Sequence, residues 1–119
     1  MRLMTNTLAK RFAQIGSQEN VNDPIIVAHF FNPTGAGDWW ATEYDPENRT
    51  IFGYASIFHD HNDEWGYFSL RELEELRVPL NLVVNGRKYS GGQLGLERDL
   101  YFRLQPISKV EPAALPESK

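Results

Sequence analysis

Residues 38–57 read DWWATEYDPENRTIFGYASI, and this stretch decides the fold. Two runs rich in aromatic and β-branched residues, DWWATEYD (38–45) and TIFGYASI (50–57), flank PENR, whose proline and asparagine favour a turn. The pattern predicts an antiparallel hairpin. Upstream, IIVAHFF (25–31) is apolar on both alternating faces, as expected of an inner strand covered on two sides. With NPTGAG (32–37) as a connecting turn, residues 25–57 read as a three-stranded meander.

Helices flank the meander. Leu8, Phe12 and Ile15 recur at helical spacing between Thr5, a suitable N-cap, and Gly16, a suitable stop, so a helix is expected over 5–15. Ser69 three residues ahead of Glu72 forms a capping box, and Leu70, Leu73 and Leu76 supply the apolar face of a second helix that ends before Pro79. GYF (66–68) fits a short fourth strand, and Asn85-Gly86 is a strong type I′ hairpin signal. LGLERDLYFRL (94–104) reads as a last strand, and KVEPAALPESK (109–119) has no apolar period. The expected class is α+β: a mostly antiparallel sheet, meander plus C-terminal strand, with two short helices. One globular domain is expected over 1–105 and a flexible tail over 106–119.

The totals restrict function. A chain of 119 residues with 41% hydrophobic and 24% charged residues suits one self-folding domain. Twelve basic against sixteen acidic residues, a formal −4, leave no basic footprint for direct nucleic-acid binding. The absence of cysteine excludes disulfides, thiolate nucleophiles and cysteine-ligated metals. The opening MRLMTNTLAKRFAQIG lacks an apolar secretion segment, and no run of about 20 apolar residues occurs, so the cytoplasm is expected and no membrane. No cofactor is expected either, since no dinucleotide or phosphate-loop pattern is present.

Several polar groups invite chemistry. His59, His61 and Asp63 crowd into FHDHNDEW, yet a third ligand at recognisable spacing is missing, so the stretch reads as a hydrophilic loop rather than a metal site. His29, within an apolar strand, reads as a hydrogen-bonded core residue. Glu43 and Asp45 share a strand face about 7 Å apart, a spacing open to an acid and base pair. Asp45 precedes Pro46, however, which favours a turn role, while Glu43 is placed on the face of Trp39 and Ala41. Arg98 is expected amid Leu94, Leu96, Leu100 and Phe102, where an unpaired guanidinium would cost several kcal/mol; Glu43 or Glu64 are its natural partners. The bland reading is a buried ion pair fixing register, and the functional one a grip on a ligand carboxylate or phosphate. Trp39 and Trp40 point to opposite faces, so one is expected to be partly exposed and able to anchor a partner; Trp65, Tyr67 and Phe68 complete the aromatic supply.

The blocks WWATEYD, FGYASIF, GYFSLRELEELR and GLERDLYF together resemble a bacterial family known as domain of unknown function 2958. The likeness spans residues 2–104 and falls on Thr42, Glu43, Asp45, Phe52, Gly53, Glu64, Gly66, Tyr67, Leu70, Glu72, Leu73, Gly95, Glu97, Arg98 and Asp99. It implies a setting rather than a chemistry: a small accessory protein of plasmids, phages or integrative elements, or of their bacterial host. HDHND departs from the family pattern, and NLVVNGRKYSGGQ looks like an inserted hairpin that could modify partner choice. Two functions follow as expectations. The first is binding to a host or mobile-element protein, for instance to blunt a host defence. The second is a small enzyme or ligand-binding domain collecting Glu43, Glu64, Glu97, Arg98 and Asp99 for hydrolysis or group transfer.

Overall fold

The expected hairpin forms in the computed structural model, which describes residues 2–57 and 63–115: β3 (Asp38–Asp45) pairs with β4 (Thr50–Ser56). Its turn is held by Asp45, whose carboxylate accepts the side-chain amide of Asn48 at 2.8 Å and the backbone N–H groups of Glu47 and Asn48. These bonds, the Asn48 amide foremost, hold the Asp45 carboxyl below the usual carboxylate range. β2 (Ala28–Phe31) flanks β3, β5 (Glu64–Ser69) flanks β4, and β8 (Glu97–Arg98) closes the outer edge of β2. The resulting order is β5-β4-β3-β2-β8, antiparallel throughout. With helices α1 (Asn6–Ile15) and α2 (Leu70–Glu75), this is the α+β class read from the sequence. Both helices carry the anticipated caps: Thr5 Oγ1 accepts the Leu8 N–H, and Ser69 Oγ accepts the Glu72 N–H.

One sheet face is closed by helices. Leu8 and Phe12 of α1 and Leu70 and Leu73 of α2 pack with Phe30, Trp39, Ala41 and Ile51, all buried. A β-bulge between Ala41 and Glu43 then shifts the alternation of β3 by one residue. Tyr44 therefore turns to the helical face, 5.9 Å from the Phe12 ring, and Glu43 turns away from it. The placement of Glu43 beside Trp39 and Ala41 is corrected accordingly.

The opposite face is half covered. The 25–31 run, expected as one strand, breaks at Val27: β1 (Ile25–Ile26) leaves the sheet and pairs with β9 (Gln105–Pro106). Through this pairing residues 105–115 fold back over the face. Ile107, fully buried, and Ala114 pack with Ile26 and Tyr54, while Asp23 accepts both the N–H and the hydroxyl of Ser108. Residues 106–115, expected as part of a flexible tail, thus lie docked on the sheet; the last four residues lie outside the described ones. The last strand is also shorter than the expected 94–104. It stops after Arg98, because the Asp99 carboxylate accepts the Tyr101 N–H and starts a turn that leaves Leu100 and Tyr101 exposed.

β6 (Arg77–Val84) and β7 (Arg87–Gly95) form an arm whose strands, among the described residues, pair only with each other. Asn85 and Gly86 turn it with φ of 53° and 78°, the left-handed pair that a type I′ turn requires. The arm holds three basic and no acidic side chains, so the rest of the chain carries nine basic against sixteen acidic, a formal −7.

Candidate functional site

Where residues 105–115 stop, the sheet face stays open. The bulge delivers Glu43 to this face beside Phe52, its cross-strand partner, and Phe52 in turn pairs with Tyr67. Trp65, two residues before Tyr67, completes the aromatic group because side chains of one strand face recur with period two. The rings are in contact: Phe52 stacks near Trp65 at 5.8 Å and 13°, and meets Tyr67 edge-on at 4.8 Å. Trp65 is fixed by its indole N–H, which donates to the Ala114 carbonyl at 2.9 Å. Tyr67 is 78% exposed.

The far wall is the 16–24 loop, tied down by Gln18. Its side chain accepts the Ile25 N–H (2.7 Å) and donates to the carbonyls of Ile25 (2.8 Å) and Thr42 (3.0 Å). Its backbone N–H donates to Glu43 Oε2 at 3.0 Å. Between loop and rings lies a cleft of about 400 Å³, lined by Gln18, Val21, Glu43, Phe52, Trp65 and Tyr67, with Glu19 at its margin. Among the described residues no basic side chain lines it. The same face carries further negative charge: the Tyr54 hydroxyl is pushed up by burial first, and then by Asp63 and Glu111.

The residues singled out as a carboxylate and arginine site do not converge. Glu97, Arg98 and Asp99 are consecutive at the β8 edge. Arg98 pairs across from Phe30 and so points to the helical face, where its Nη1 donates to the Leu3 carbonyl at 3.1 Å. Glu43 lies on the other face, and Glu64 is exposed on β5, four strand spacings or roughly 19 Å across the sheet. Neither is the partner of Arg98 that the sequence suggested.

His29 is half sandwiched between carboxylates: Nε2 lies 2.6 Å from Asp38 Oδ1 and Nδ1 lies 3.4 Å from Asp99 Oδ2. Both ring nitrogens are thus engaged, which ties β2, β3 and the turn after β8 together. Its ring stacks on Trp40 at 3.8 Å. Trp40 is partly exposed and Trp39 buried, on opposite faces as read, but Trp40 sits beside the docked C-terminal segment and its buried Nε1 has no hydrogen-bond partner among the described residues. Asp63 accepts the hydroxyl of buried Ser56 at 2.8 Å; His59 and His61 lie outside the described residues. Among the described residues no group of three or more His, Asp or Glu is placed to hold a metal ion.

The family pattern includes Phe52 and Tyr67 without giving them a role, the residues by themselves mark Trp65 and Tyr67 only as general aromatic supply, and neither points to Gln18 or Val21. The alternation in FGY and EWGY was the available signal, since it puts Phe52, Tyr54, Trp65 and Tyr67 on one face.

Fold and site define a small antiparallel α+β domain with an open aromatic cleft. The chain belongs to the family described as Protein of unknown function (DUF2958), whose family model matches residues 3–115. No curated protein and no solved structure matches it. Among the described residues no helix is long and apolar enough to cross a membrane.

Proposed function

We propose that this protein acts by binding another protein through the aromatic cleft, as a small cytoplasmic accessory factor in a bacterial host or one of its mobile elements. One observation carries the reading: where residues 105–115 leave this face open, Phe52 is in ring contact with both Trp65 and Tyr67, the half-buried Trp65 is pinned by its indole N–H, and Tyr67 is 78% exposed. Rigid aromatic side chains at the centre of a polar rim are the anchors that dominate protein interfaces. The cellular setting is the one that the family resemblance implies.

Tyr67→Ala tests this reading. The side chain is 78% exposed, so its removal is expected to change stability by no more than about 0.5 kcal/mol. As an interface anchor, the same change is expected to cost about 2 kcal/mol of binding, roughly thirtyfold. Wild-type and variant protein, each immobilised and exposed to the same bacterial lysate, are compared by quantitative mass spectrometry. Equal retention of every captured protein by two equally stable forms contradicts the reading.

A further inference from the structure

We infer that the cleft receives an arginine side chain of its partner protein, with the guanidinium against the aromatic rings and paired with Glu43; the inference rests on the cleft being the binding surface. Three observations lead there. First, the ionisable groups on its walls and margin besides Tyr67 are Glu19 and Glu43, and no lysine or arginine lines it among the described residues. An anionic ligand group would meet only like charge. Second, Glu43 commits only Oε2, to the Gln18 N–H, and Oε1 accepts from no described residue. A carboxylate offers about four acceptor positions, so capacity remains for a charged donor. Third, three ring systems within ring-contact distance offer faces and edges of the kind on which a planar cation stacks.

Arginine is favoured over lysine because its flat guanidinium can lie on an aromatic face while its N–H groups reach a carboxylate in the same plane. The remainder of the cleft suits this side chain as well: Val21, 48% exposed, offers an apolar surface for the methylene stem. The formal −7 of the chain outside the basic arm adds a long-range attraction for a cationic segment, screened by salt.

The test uses two small probes, N-acetyl-arginine methylamide and its neutral near-isostere N-acetyl-citrulline methylamide, titrated through the millimolar range into the full chain. The readout is the indole N–H resonance of Trp65 in a proton–nitrogen NMR spectrum, assigned by its loss in Trp65→Phe. Trp39, buried on the helical face, serves as the internal reference. The expected result is a saturable shift of Trp65 but not Trp39 with the arginine probe, at least tenfold tighter than with citrulline and weakened by salt. Glu43→Gln keeps an oxygen for the Gln18 N–H and is expected to remove most of the difference between the probes. Equal affinity for both probes overturns the cation inference while leaving the cleft as a binding surface. No Trp65 shift with the arginine probe overturns it too, and the protein-binding reading then stands or falls separately on Tyr67→Ala.

Discussion

Gly53→Ala is expected to cost more than about 4 kcal/mol, enough to leave a domain of this size largely unfolded. Gly53 lies opposite Ala41, where the bulge of β3 presses the Trp40 carbonyl onto β4. A Cβ at this position would sit 2.1 Å from the Trp40 carbonyl oxygen and 2.9 Å from the Ala41 Cα. Both are backbone atoms of the central hairpin, so no side-chain rotation relieves the overlap; the ladder itself must open. Gly66→Ala, in β5, is the matched control, because a Cβ there meets nothing within 4 Å, and a change within about 0.5 kcal/mol is expected. Far-UV circular dichroism and urea midpoints of the two variants separate a specific clash from a general intolerance of alanine.

Gln18→Leu is the second large effect, expected at about 3–4 kcal/mol. Leucine fills a similar volume, yet it neither accepts from the Ile25 N–H nor donates to the Ile25 and Thr42 carbonyls. Each buried backbone group left without a partner costs about 1–3 kcal/mol, and water entering the cleft side recovers part of that. Gln18 is 7% exposed, so the gain in apolar burial is small by comparison. Urea unfolding is expected to show a lower midpoint at unchanged slope, since the network belongs to the native state alone. The same variant loosens the wall against which Glu43 is held, so weaker retention of the partner is expected even where the protein remains folded.

These two sites also mark where the sequence was legible and where it was not. Local chemistry announced itself: the caps Thr5 and Ser69, the Asn85-Gly86 turn and the PENR turn all act within a few residues, and each forms as read. The bulge at Thr42 has no such local signature. It is fixed by the Thr42 carbonyl accepting from Gln18, 24 residues away, and by the Thr42 hydroxyl donating to the Phe52 carbonyl. A single inserted residue then moves Glu43 to the other face, and every inference from strand parity beyond Ala41 inverts with it. Arg98 was misread for a related reason. Arg98 is half-buried rather than enclosed by the four apolar neighbours that alternation suggests, since Leu94 and Leu100 are exposed, and one of its partners is a backbone carbonyl of the N-terminal segment, 95 residues distant in sequence. The aromatic alternation of β4 and β5 was visible, whereas the part of that face left open depends on how residues 105–115 dock, through Asp23 and Ser108.

The most direct measurement of the central claim, that the aromatic cleft is the recognition surface, is site-specific photocrosslinking in a bacterial lysate. p-Benzoylphenylalanine replaces Tyr67 in one protein and Tyr101 in another; both positions are well exposed, at 78% and 91%, and they lie toward opposite edges of the sheet. The expected result is one identified adduct from position 67, absent from position 101 and lost when Glu43→Gln is added. Adducts of equal yield from both positions, or an adduct at 67 indifferent to Glu43→Gln and Val21→Ala, would contradict the claim.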